Sequence, residues 1–121
     1  MAQRASAAAK AVLTRLSAAR VALEEVVGFV ATQSKSNPNA VFAGSVTYLL
    51  LAGNVVAGWQ MARALMAAED RAAKGDDVTF MQNKIATAHF YADHILTRVP
   101  GMRDAIVHGA ASVMALPIDA Y

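Results

Sequence analysis

The stretch ATAHFYADHI, residues 86–95, gathers more chemically capable side chains than any other part of the chain. On a helix, His89 and Asp93 stand one turn apart and can share a proton or a cation. His94 follows Asp93 directly and is rotated about 100° from it, so the three groups do not converge from one helix. A di-metal site in a helical bundle takes Glu-x-x-His pairs from partner helices. No such pair occurs, and Glu24, Glu25 and Glu69 are scattered. The expectation is a His89–Asp93 surface or interface pair, with a metal role for the two residues as the alternative. A helical domain with one reactive histidine also suggests phosphotransfer. That motif places a lysine and a glycine soon after the histidine, whereas His89 is followed by Phe90, Tyr91 and Ala92. His108 has only Asp104, one turn back, as an acidic neighbour. Gly53 and Gly58 lie inside a helical pattern, which excludes a phosphate loop between strand and helix. Without cysteine there is no thiol catalysis, thiolate zinc site or disulfide, a composition at home in a reducing cytoplasm. No catalytic constellation emerges, so whether the chain is an enzyme is left open by its residues.

The elements that would position these groups are helices. Alanine supplies about a quarter of the chain and prolines number three, a combination that favours helix throughout. Helix one is expected from about Ser6 to about Thr32. Leu16, Ala19, Leu23, Val26 and Val30 form its apolar stripe, and Arg20 and Glu24 pair on the wet side. Ser36-Asn37-Pro38-Asn39 reads as a loop. Helix two is expected from about Asn39 to Lys74, with Gly75 as a left-handed cap. It carries two apolar stripes: Phe42, Val46, Leu49, Gly53 and Val56, and then Tyr48, Leu51, Val55, Trp59, Ala62 and Met66. Asp76 or Asp77 should cap helix three, whose inner stripe is Met81, Ile85, Ala88, Ala92, Ile95 and Val99. Its wetter face is Lys84, Thr87, Tyr91, His94 and Arg98. Pro100-Gly101 should end it. Helix four follows from about Met102 to Ala115, with Met102, Ile106, Gly109, Val113 and Leu116 inward. One domain of all-α class, an antiparallel four-helix bundle over residues 1–121, is the expected architecture.

Between Lys35 and Arg63 no residue is charged, which raises the alternative of a single membrane span. Asn54, Gln60 and three glycines in that region oppose it. So do the single stripes of the other helices, which need a common partner. Helix two is therefore expected to be enclosed by protein on most of its circumference, with leftover apolar surface for docking. Hydrophobic residues make up 56% of the chain, charged residues 17%, and mean hydropathy is +0.35, values that fit large buried interfaces. A secretory signal is not expected, since Arg4, Lys10 and Arg15 interrupt any apolar core segment. The net charge of +2 is spread around helix one, so no nucleic-acid partner is expected.

Two segments carry a resemblance: VFAGSVTYLLLAGNVVAGWQMARAL, and FMQNKIATAHFYADHILTRVPGMRDAIVHGAASVMALP. With Gly58-Trp59 and Arg63, they make the chain similar to the extra C-terminal helical domain of the larger acyl-CoA dehydrogenases, the methylmercaptopropionyl-CoA dehydrogenase group. The resemblance implies a domain behind a flavin-binding body, on the same or another chain, with FAD, the acyl-CoA site and the catalytic glutamate all in that body. It implies no catalytic, cofactor or metal residue here. The implied role is packing and oligomerisation, with a homodimer expected and no membrane partner. Tyr48, Trp59, Tyr91 and His94 are the expected docking residues.

Overall fold

The structure, a computed structural model, describes residues 6–120. Every regular element among them is helical: α1 (Ala7–Gln33), α2 (Pro38–Ala43), α3 (Ser45–Ala73), α4 (Val78–His94), α5 (Val99–His108) and α6 (Ala110–Val113), with 3-10 turns at Leu96–Arg98 and Ile118–Ala120. The class is all-α. None of these helices is long and apolar enough to cross a membrane.

The ends of α1 and α3 follow from local chemistry. Ser6 caps α1 by accepting the Ala9 amide at 3.0 Å, satisfying one of the orphan N–H groups of a first turn. Its hydroxyl also hydrogen-bonds Glu69 near the end of α3. The expected cap at Gly75 is present, with φ +76°. Its amide bonds to the Ala72 carbonyl, and the Asp76 amide to that of Arg71, each at 3.0 Å, the doubled closure that a left-handed residue after a helix allows. Asp77 occupies the cap position of α4 without a side-chain capping bond. Asp76 instead holds the Arg71 guanidinium at 2.7 Å.

α1 packs on α3, α4 and α5, and α3 lies along α4 and α5. The side chains most completely removed from water come from α1, α3 and α5: Val12 and Val26, Leu51 and Leu65, Val99 and Ile106, with Leu96 from the 3-10 turn. Between them the helices meet through alanine, at Ala19, Ala22, Ala62, Ala68, Ala88 and Ala92. Small contact residues draw helix axes together. No polar or charged side chain is buried among the described residues, so apolar burial carries the fold.

Three expectations need correction. The long second helix is broken at Gly44, which separates α2 from α3. A Cβ there would stand 3.2 Å from Ile106 Cγ2 and 3.3 Å from Ile106 Cα, so the corner rests against the backbone of α5. Pro100 does not end the third helix. α4 stops at His94, the chain makes a 3-10 turn, and Pro100 lies in the first turn of α5. There its missing N–H would have had no helical partner in any case. The fourth helix breaks at Gly109, where a Cβ would collide with the Ala105 carbonyl. Beyond it, α6 turns toward α2, leaving Val113 and Leu116 exposed where the stripe placed them inward.

Candidate docking surface

α4 holds the polar cluster where the spacing put it. His89 Nε2 lies 3.2 Å from Asp93 Oδ2, and Arg15 of α1 reaches the other carboxylate oxygen at 3.8 Å. All three side chains are about half exposed, so water screens the pairing and each contact is worth about 1 kcal/mol or less. The cluster pins α1 to α4. Among the described residues, no group of three or more acidic or histidine side chains is arranged to hold a metal ion. His94 points elsewhere and stacks on Phe90, ring centroids 4.4 Å apart and planes inclined by 24°. Both rings are exposed. A second exposed link, Arg103 to Glu25 at 2.8 Å, ties α5 to α1.

Tyr91 does not belong to a wet face. It is half-buried, and its hydroxyl donates to the Asn54 carbonyl of α3 at 2.8 Å. Burial pushes its phenol pKa above the ordinary value of 10, because the charged form is disfavoured away from water. A carbonyl in the middle of a helix is an acceptor that side-chain patterns do not reveal, and sequence reasoning missed it. It also missed Leu96, one of the most buried side chains, which fits against Gly58. A Cβ on Gly58 would lie only 2.7 Å from Leu96 Cδ2.

α3 is the element with unused surface. Leu51, Val55, Gly58, Ala62, Leu65 and Ala68 face inward, a line drawn mainly from the second apolar stripe. The first stripe faces out: Val46 is 71% exposed and Leu49 72%, with Val56 and the preceding Phe42 also more than half exposed, as is Leu50 beside it. Enclosure of this helix on most of its circumference is therefore overturned. The other helices cover one side of it only, because α2 swings away at Gly44 and α4 takes the flank bearing Asn54.

Of the other expected docking residues, Tyr48 is half-buried in a cleft of about 260 Å³ with Val30, Val41, Phe42 and Ile106. Trp59 is exposed beside the seam with α1, over a hollow shared with Leu16 and Arg20. The Arg63 guanidinium lies 5.4 Å from its ring centroid, a cation–π geometry. Tyr48 and Trp59 thus stand on the α1 side of α3, while Tyr91 and His94 are carried by α4. The four do not form one patch.

Residues 1–117 match the family described as acetyl-CoA dehydrogenase C-terminal like. The chain belongs to this family. It is 36% identical over 108 residues to 3-methylmercaptopropionyl-CoA dehydrogenase of Ruegeria pomeroyi, a stretch covering 89% of this chain and 18% of that enzyme. Over 79 residues it is 33% identical to the broad-specificity linear acyl-CoA dehydrogenase FadE5 of Mycobacterium tuberculosis, covering 63% of this chain and 13% of the relative. The chain thus spans less than a fifth of the length of either. The segments that carried the resemblance acquire physical reasons in the fold. Gly58 makes room for Leu96, Arg63 stacks on Trp59, and KIATAHFYADHIL supplies the face of α4 that meets α3 and α1.

Proposed function

We propose that this chain is the non-catalytic C-terminal helical domain of an FAD-dependent acyl-CoA dehydrogenase-like oxidoreductase of the cytoplasm. In this reading α1, α3, α4 and α5 run as an antiparallel four-helix bundle. The bundle packs on a flavin-binding body, carried on the same or another polypeptide, and contributes to contacts between subunits. The observation that carries the reading is the apolar outer side of α3, a run of large side chains with no charge between Lys35 and Arg63. A surface of that kind marks a site for another protein surface.

The side chains here do not fit FAD. A cleft of about 560 Å³ is bordered by Asn37, Asn39, His108 and Met114. It offers neither a lysine or arginine side chain nor a glycine-rich strand-to-helix turn for a pyrophosphate. Acyl-CoA oxidation is therefore assigned to the body, and this domain supplies packing.

Purified chain tests the division of labour. We expect it to carry no flavin absorbance and to oxidise no acyl-CoA, whereas mixing or fusing it with a matching flavin-binding body should raise the body's melting temperature. Stoichiometric flavin or acyl-CoA turnover by the chain alone would overturn the reading. An immunoblot of source cells showing a band several-fold heavier than 12.7 kDa would place the body on the same polypeptide, and a band at that mass on another.

A further inference from the structure

Two of the helices, α2 and α6, are too short to stand alone. α2 has six residues and α6 four, and no side-chain bond caps either. Isolated helices below about 12–15 residues are marginal in water, so each depends on packing. Yet α2 buries only Ala40, and α6 buries no residue. Their backbone closures are loose as well. The Ala40 and Gly44 amides bond three residues back, to the carbonyls of Asn37 and Val41, the poorer 3-10 geometry. The Val113 amide stands 3.4 Å from the Gly109 carbonyl, beyond the ordinary range of about 2.7–3.2 Å.

The two short helices pack on each other. Even there they leave the cleft of about 560 Å³ between Asn39 and Ala40 on one side and His108 and Ala111 on the other. Each joins its longer neighbour at a glycine, α2 to α3 at Gly44 and α6 to α5 at Gly109. The Gly44 corner rests on the α5 backbone at Ile106 and serves as a pivot. From Ser34 to Ala43, before that pivot, Ala40 is the one buried residue. Under α2 lies the Tyr48 cleft of about 260 Å³, with Val41 and Phe42 of α2 on its lip and Val30, Tyr48 and Ile106 in its wall. Ile106 is 1% exposed, so the arrangement is closed over it.

We propose that α2 and α6 form one lid that opens by local unfolding while α1, α3, α4 and α5 stay folded, exposing the apolar cleft beneath α2. The large buried side chains Val12, Leu51 and Leu65 belong to neither short helix, so the main core survives the opening. Phe42 moves with the lid, and opening therefore also changes the end of the exposed α3 row.

Hydrogen exchange of the purified chain, read residue by residue, tests the lid. We expect the amides of Ala40, Gly44, Val113 and Met114 to share one opening constant, with exchange at least about 100-fold faster than for the amides from Leu51 to Leu65. Ala43→Gly weakens α2 at an exposed position and should speed exchange in both short helices about fivefold. Ala86→Gly, exposed on α4, should leave those amides unchanged. Because the chain has no cysteine, a thiol can also be placed in the wall of the cleft. Ile106→Cys should react with an aromatic disulfide reagent at a rate that follows lid exchange, and Leu65→Cys only at the rate of global unfolding. Circular dichroism checks that both variants are folded, and the exchange experiment stands without them. Lid amides that exchange no faster than those from Leu51 to Leu65 overturn the proposal. So do unequal opening constants in α2 and α6, or an Ala43→Gly effect confined to α2. A folded Ile106→Cys protein that reacts no faster than Leu65→Cys overturns the exposure of the cleft.

Discussion

The contact between Gly58 and Leu96 sets a sign that ordinary helix propensity would get wrong. Replacing a mid-helix glycine by alanine stabilises a helix by about 0.8–1 kcal/mol when the methyl has room. At Gly58 it has none: the new Cβ would stand 2.7, 3.1 and 3.3 Å from Leu96 Cδ2, Cδ1 and Cγ, against a comfortable carbon–carbon distance of about 3.5–4.0 Å. All three atoms are too close, so a rotation of the leucine tip does not relieve them, and Leu96 is 1% exposed with no solvent to swing into. Overpacking of this kind costs about 1–3 kcal/mol, so Gly58→Ala alone should be neutral to destabilising by about 2 kcal/mol once the propensity gain is set against it. Leu96→Ala alone should cost about 3 kcal/mol through lost burial and the cavity left behind. In the double variant the clash is gone and the propensity gain remains, so Gly58→Ala should turn stabilising by about 1 kcal/mol. Urea unfolding followed by circular dichroism across the four proteins yields the coupling, expected at about 1–3 kcal/mol and compensating in sign. Additive effects within about 0.5 kcal/mol, or a Gly58→Ala protein more stable than the parent, would refute the packing argument.

Tyr91→Phe should cost about 1 kcal/mol by removing the hydroxyl's hydrogen bond to the Asn54 carbonyl, read from the same unfolding curves. The raised Tyr91 pKa also fixes a direction with pH: the unfolded chain ionises first, so stability is complete below pH 10 and declines as pH climbs from there to the folded-state value. Absorbance titration of tyrosinate against the Tyr91→Phe protein should show the missing residue to be one that ionises above the ordinary value. Gly75→Ala, forcing a Cβ into φ +76°, should lower stability by about 1–2 kcal/mol, and an unchanged midpoint would contradict the left-handed cap. Arg103→Met should remove at most about 1 kcal/mol, a loss that fades in high salt, because its pair with Glu25 is partly exposed.

The parts of the fold legible in the sequence are those governed by local chemistry or by one clean stripe. Ser6 as a starting point, the Gly75 cap, the Arg20–Glu24 pair at 3.0 Å and the His89–Asp93 pair each involve residues within a few positions of one another. The inner face of α4 follows the 3.6 period, with Met81, Ala88 and Ala92 buried. Contacts between distant residues were not legible. Gly44 looked like one more glycine in an apolar run, and only the backbone of α5 passing at 3.3 Å gives it its role as a break. Pro100 fitted equally well as an end or a beginning. Tyr91 shares its face of the helix with charged or polar neighbours, a pattern that implies water, while its partner is a carbonyl on another helix.

Which side of α3 faces inward is decided by size and not by hydrophobicity. Both stripes are apolar, so a period of 3.6 admits either. The side that packs against other helices carries Gly58, Ala62 and Ala68 among its larger residues, and the side that does not carries Val46, Leu49, Leu50 and Val56 almost without interruption. Closely packed helices need small residues where their axes cross, and α1 and α4 bring alanines of their own to those points. The large exposed row therefore adds little to the stability of this chain, since what remains in water contributes no burial. In the reading proposed above, it is the surface offered to a partner. In that reading, folding and docking use opposite sides of one helix, so substitutions on the outer side should alter docking while leaving the fold intact.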